Sequence, residues 1–522
     1  MALTHTLTRI ILREVLVSRQ KVVNKHFSIL ERTDRMSEIA TNEKIITPPL
    51  LGRLNIYSNT PLNENNIIAE LSKTLASHLT NVAAIEYLYW YRRGLQPILG
   101  KVKDVRPEIN HIVVENHADE IVGFKNGYFL TQPAFYISRT KDEGVTDKVK
   151  QLNEYLYLSG KNEVDNKVVD WFHTVGTGIL YVTPTDSDDI PVKVYALDPR
   201  SAFVVYDLTP AHEPLYAVNI VMQNDKEAAL DVYTKRRKYT VKCGIIGSLI
   251  SNGEPLEATP VSVESIEPNP LGYIPMVEYH YNSVNMGAFE SVIPLLDAIN
   301  ETMSDRIDGI DQFIQSLAIA VNCDFEEGVT ANTIRQAGMI SIKSVGDNKA
   351  DFKILSEQLD QGQTQVLVDY LYQQVLTICG MPSTTKGGTS TSDTGAAVLY
   401  RDGWYQADTF ARNTEDLFKE ANRRFDEIFI SILNRKKGLG IKLSDFELQF
   451  VRNETANLLV KTQGALNLKE LGLSPEITLA KSGVSNDPVA DVANSKPYIE
   501  AAWKVQPTEV VDENIAEDRE VI

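Results

Sequence analysis

The sequence predicts an α+β protein of several structural units, and three observations carry that expectation. Strand-like runs of β-branched and aromatic residues cluster between residues 171 and 278. Three long apolar stripes at helical spacing follow, near residues 289–317, 361–379 and 395–433. A Ser/Thr/Gly-rich segment at 383–394 separates the second stripe from the third. At 522 residues the chain exceeds what one core organises, and roughly three or four units are expected.

Taken in order, residues 65–91 read as a helix because Ile67, Ile68, Leu71, Leu75, Leu79 and Val82 recur at three- and four-residue steps. A shorter helix fits 116–125, closed by Gly127. Strands are expected at 179–182, 192–197, 202–206, 216–222 and 239–241, joined in one mixed sheet, with Asn269-Pro270, Gly272 and Pro275 marking its end. Phe289, Val292, Leu296, Ile299, Met303, Ile307, Ile310, Ile314 and Leu317 then trace one stripe, a helix of roughly 40 Å at about 1.5 Å per residue. Pro294 is tolerated because it falls near the helix start. Asp297, Glu301, Asp305, Asp308 and Asp311 fall mainly on another face. The apolar side wants a protein neighbour; the acidic side is expected to face water or something that should not adhere. Strands at 340–342 and 352–355 lie in a short insert, and the helix at 361–379 stops at Gly380 and Pro382. The helix over 395–433 is carried by Leu399, Phe410, Leu417, Phe418, Phe425, Ile428 and Ile432. A β-then-helix module fits 441–503, and the last residues are acidic without apolar periodicity, which reads as a disordered tail.

The formal net charge of −18 argues against a tight grip on nucleic acid, since phosphates are neutralised by Lys and Arg. It does not argue against a wall past which DNA must slide. Cys243, Cys323 and Cys379 form no CxxC pair, so neither a zinc ribbon nor a disulfide framework is supported. No apolar run reaches the roughly 18 residues of a membrane span. Walker, HExxH and GxSxG patterns are absent. His111 and His117 lie near Glu115, Asp119 and Glu120, but those spacings suit a solvated helix face better than a metal centre. No catalytic residue, metal or cofactor is expected.

Several separately placed motifs together resemble the portal proteins of long-tailed, siphovirus-type bacteriophages. Glu115-Asn116-His117-Ala118-Asp119-Glu120-Ile121-Val122, with Gly127-Tyr128 and Gln132-Pro133, looks like the N-terminal wing motif of that family, although Thr131 stands where a Gly is frequent. Gly176 to Tyr181, Leu197-Asp198-Pro199 and Val204-Val205-Tyr206-Asp207 are similar to its wing sheet. Gly272 to Glu278 precedes the stem, where Glu290 to Asn300 and Ser304-Asp305-Arg306 follow. Cys379-Gly380-Met381-Pro382 fits the end of the second stem helix. Phe450, Arg452, Asn453, Leu473 to Glu476 and Asp487-Pro488 match the C-terminal pattern.

The resemblance implies a portal fold with an α/β wing, a two-helix stem, a small β-containing clip, a long wing helix and a mainly helical crown. On this chain it implies an N-terminal arm at 1–60, wing at 61–288, first stem helix at 289–317, clip at 318–359, second stem helix at 360–380, tunnel loop at 381–394, long wing helix at 395–434, crown at 435–506 and tail at 507–522. Ser383, Thr384, Thr385, Lys386, Gly387, Gly388, Thr389 and Ser390 would face DNA. Ile299, Met303, Ile307, Ile310 and Ile314 would pack the stem, and the clip cations Arg335 and Lys343 would touch phosphates transiently. The implied assembly is a ring, typically of about twelve subunits, at one capsid vertex of the virion. It is built in the host cytoplasm and serves genome packaging and ejection. Its implied partners are double-stranded DNA, the terminase large subunit, a head-completion adaptor, and the major capsid and scaffolding proteins, with no membrane. Two other classes compete: a metal-dependent nuclease or motor component, and a peripheral membrane pore former anchored by the basic residues 1–26.

Overall fold

In the computed structural model the chain is described at residues 51–104, 106–140, 142–224, 226–246, 257–314, 361–383, 403–450, 458–485 and 487–496, together with short strands at 317–321, 323–324, 343–344 and 351–355. Expectations placed on 1–50, 340–342, 384–402 and 497–522 fall outside the described residues.

The described chain opens with β1 (Ile56–Tyr57) and α1 (Ile67–Arg92), then a 3-10 turn (Pro97–Gly100), α2 (His117–Phe129), β2 (Phe135–Ser138), α3 (Glu143–Leu158) and α4 (Lys161–Val175). Strands β3 (Thr177–Pro184), β4 (Val192–Leu197), β5 (Ala202–Tyr206), β6 (Pro214–Met222), β7 (Glu227–Thr234), β8 (Arg237–Ile246), β9 (Glu257–Pro268) and β10 (Met276–His280) follow. They form two sheets instead of the one expected, in the orders β1-β5-β6-β7-β8-β9 and β10-β3-β4. Only β1 against β5 is parallel in the larger sheet. Strand β7 escapes a propensity reading because its Glu, Ala and Asp residues are poor strand formers. Strand β9, with Pro260 and Pro268, is tolerated at the sheet edge, where a missing N–H costs nothing. Helix α2 runs through Gly127 to Phe129 instead of closing before it, because Ile121, Val122, Lys125 and Phe129 are all buried on one face.

Next come α5 (Ile293–Ile314), β11 (Leu317–Val321), β12 (Cys323–Asp324), β13 (Lys343–Ser344), β14 (Asp351–Leu355) and α6 (Gln361–Ile378). Strands β11 with β14, and β12 with β13, pair antiparallel, so the insert between the two helices is β-containing as expected. Helix α7 (Trp404–Lys437) is about 50 Å long at about 1.5 Å per residue. It is followed by β15 (Phe446–Gln449), α8 (Leu458–Glu470), α9 (Pro475–Ser482) and α10 (Pro488–Asn494).

Helix α7 drives the largest core. Phe418, Phe425, Phe429 and Leu433 are buried against Phe129, Phe172, Leu180, Val194 and Tyr279, each fully buried ring or branched side chain contributing on the order of 2 kcal/mol. Strand β15 pairs with β2, and Leu439, Ile441 and Phe446 complete this same core. Ile56 is buried in the core of the larger sheet.

Candidate functional site

Helix α5 is the centre of the candidate site. A 3-10 turn at Glu290–Val292 leads into it, and Pro294 sits where no backbone donor is needed. Its entry is pinned from far away in the chain. Arg53 Nη2 donates to Glu290 Oε1 at 2.6 Å, Gly52 N–H to the same oxygen at 3.3 Å, and Gly287 N–H to Oε2 at 2.7 Å. Both side chains of this ion pair are almost wholly buried. The apolar face of α5, with Val292, Leu296 and Ile299, packs on α1, α2 and α6 through Leu88, Tyr91, Ile121, Val375 and Leu376.

A second face is polar and equally buried. Asn300, Ser304 and Asp308, one helical turn apart, accept the backbone N–H groups of Glu115 (2.8 Å), Val113 (3.0 Å) and His111 (2.6 Å). The segment 101–116 therefore runs antiparallel to α5 as a strap. The registers match because two extended residues advance about 6.6 Å while four helical residues rise about 6 Å. Gln96 closes the upper end, accepting from Asn300 Nδ2 and donating to Asn116 Oδ1 at 3.0 Å. At the lower end Lys101 Nζ donates to Asp308 Oδ2 at 2.9 Å and to Asp305 Oδ1 at 2.7 Å, while Lys103 also binds Asp308. Burial opposes the Asp308 charge, but the hydrogen bonds from Lys103, the His111 N–H and Lys101 outweigh it and hold its carboxyl well below the usual range.

The expected acidic face is thus not one open surface. Asp308, expected on the open acidic face, is only 2% exposed and instead anchors the strap. A carboxylate row on one helix recruits cations from another segment, which spacing within the helix does not reveal. Asp297 accepts from the Tyr91 hydroxyl at 2.8 Å, and burial raises its carboxyl above the ordinary value. Glu301 and Asp305 are exposed, and Asp311 is half-buried. Of the expected packing residues, Ile299 is spent inside its own chain, Met303 and Ile307 are half-buried, and Ile310 is 44% exposed. Ile314 ends α5, with its side chain outside the described set.

Ser383 is the one described member of the expected tunnel-loop set. It is buried, with its hydroxyl donating to Gln373 Oε1 at 2.6 Å, so it closes the end of α6 and is not open to solvent. Thr384, Thr385, Lys386, Gly387, Gly388, Thr389 and Ser390, like Arg335, lie outside the described residues. Lys343 opens β13, in register with Asp324.

His117 belongs to this neighbourhood without forming a metal centre. Its ring nitrogens lie 2.7 Å from Glu120 and 3.0 Å from Glu115, and the ring packs on Tyr372 of α6. Burial opposes protonation, yet the hydrogen bonds to Glu120 and Glu115 keep its pKa above the ordinary value. Tyr372 donates to Glu120 at 2.6 Å, tying α6 to the start of α2. Among the described residues no group of three or more His, Cys, Asp and Glu is placed to hold a metal ion. Among them, too, no helix is long and apolar enough to cross a membrane.

The site is therefore a pair of long helices, α5 and α6, returning on each other around a β insert and braced by a strap. No curated protein matches the chain. The family model described as "Phage portal protein, SPP1 Gp6-like" matches residues 71–502, from within α1 to beyond α10. A match over that span, which includes strands β3 to β10, helices α5 and α6 and the insert between them, shows that the chain belongs to the SPP1 Gp6-like family of phage portal proteins.

Proposed function

We propose that the chain forms a dodecameric ring at the portal vertex, with α5 and α6 as its stem and the β insert as the clip that meets the terminase large subunit. A head-completion adaptor takes the same place once packaging ends, and capsid and scaffolding proteins surround the wing. In this reading the chain is structure and conduit, not catalyst, and it assembles in the host cytoplasm before entering the virion. The observation that supports it most is the exposed edge of α5, where Pro294, Glu301 and Asp305 lie in solvent. A duplex moving past that edge meets carboxylates that repel phosphate, so it slides without being held. Residues 384–390 serve as the tunnel loop, with Lys386, and in the clip Arg335 and Lys343, touching phosphates transiently.

The test is Glu301→Lys in phage particles. The substitution leaves the strap and the core untouched, so rings and heads form, while genome packaging slows or stalls. Normal packaging in that variant would contradict a DNA-facing role for this edge. Shortening 384–392 is expected to spare ring assembly and impair packaging or retention; undisturbed packaging would remove the tunnel-loop assignment.

A further inference from the structure

Helix α6 carries an apolar surface that, among the described residues, the rest of the chain does not cover. Val366 is 69% exposed and Tyr370 59%, and Leu367 and Ile378 extend the same stripe at helical spacing. The helix contains one charged residue, Asp369, whose carboxylate accepts from Gln365 at 2.7 Å. In a chain with 23% charged residues and a net charge of −18, such a face is the place where identical copies approach with least repulsion. Its composition, aromatic and aliphatic with charge removed, is that of an interface core.

A ring built from identical subunits needs two different complementary patches, because each contact is head-to-tail. The strap supplies the second. Val102 is 68% exposed, flanked by the exposed Leu99 and Ile112. The two patches flank α5 on different sides: the strap binds Asn300, Ser304 and Asp308, whereas α6 packs on the side of Leu296 and Ile299. They also share a level along α5. Lys101 is fixed to Asp305 and Asp308, and Gln365 accepts from Arg306 at 2.6 Å, within the same turn. Subunits in a closed ring are related by rotation without translation along the axis, so residues at one level meet.

We propose that the apolar stripe of α6 seats on the strap of the next copy, with Val366 of one subunit opposite Val102 of its neighbour. This rests on the portal reading and assigns its lateral contact to α6 and the strap, not to the apolar stripe of α5. The experiment is oxidative cross-linking of the full chain carrying Val102→Cys and Val366→Cys together, against each single variant, with ring formation of the unsubstituted chain followed by electron microscopy. The expected result is a ladder of covalent oligomers from the double variant, extending to the full ring, and at least tenfold less from either single variant. Rings in the unsubstituted chain with no ladder above the single variants would overturn this contact and leave the portal reading intact. No rings and no ladder would overturn both. As a second arm, Leu367→Asp is expected to give folded subunits, with unchanged circular dichroism, that no longer form rings. Intact rings from that variant would contradict the proposal.

Discussion

The backbone N–H of His111 donates to Oδ1 of Asp308 at 2.6 Å, and the imidazole Nδ1 of His111 lies 3.0 Å from the same oxygen. Residues almost two hundred positions apart are thereby fixed, and the strap is locked at the level where both lysines converge. Asp308→Ala leaves the His111 N–H and Lys103 without this acceptor and Lys101 with Asp305 alone, at a cost of about 3 kcal/mol. Asp308→Asn keeps an acceptor but loses the charge and should cost less. Urea denaturation of the two variants checks the order. Because the Asp308 carboxyl is held below its unfolded value, its contribution is present above about pH 4 and is lost as pH falls further.

A second carboxylate has the opposite sign. Asp426 on α7 accepts from the Tyr136 hydroxyl and from Asn422 Nδ2 at 3.2 Å, beside the buried pair Lys161–Asp165. Burial pushes its pKa up to about 7. Between about pH 4 and pH 7 the folded chain holds a proton that the unfolded chain has released, so stability from this group falls as pH rises through that window and levels off above it. Asp426→Asn should flatten the dependence and raise stability at pH 8 by on the order of 2 kcal/mol relative to pH 5. Thermal melts of both proteins across that range give the comparison, and parallel curves would reject it.

At the entry to α5, Arg53 and Glu290 form a buried ion pair. Removing one partner strands the other: Arg53→Met alone should cost about 3–5 kcal/mol. The double variant Arg53→Met with Glu290→Leu should recover part of that loss. A double-mutant cycle by chemical denaturation reads the coupling directly.

Gly176 ends α4 at a φ of +90° with its N–H donating to Phe172 O at 2.8 Å. A Cβ there would lie 1.9 Å from the carbonyl oxygen of Asn285. Gly176→Ala therefore both strains the backbone and forces apart α4 and the 282–287 turn, and a loss of at least about 3 kcal/mol is expected. Soluble yield and melting temperature report it.

The helices were legible in the sequence because their stripes repeat locally. Leu71, Leu75 and Val82 mark α1, and Phe418, Phe425 and Ile432 mark α7, without reference to anything distant. The strap was not legible. Residues 101–116 have no period of their own, and their partners Asn300, Ser304 and Asp308 read as ordinary polar positions on a helix until the two segments are seen together. The row of small polar residues at four-residue spacing was the available signal. Strand β1 was illegible for a similar reason: two residues become a strand only because β5 offers them an edge. Family resemblance supplied what local physics could not, namely that the chain is a phage portal protein.

Identical copies of this chain are expected to close into a ring. Native mass spectrometry of the purified full chain, across a range of concentrations, should show a single high-mass species of about a dozen copies of the 58.4 kDa subunit. A chain that stays at the subunit mass at every concentration, including in the presence of its capsid and scaffolding proteins, would contradict it.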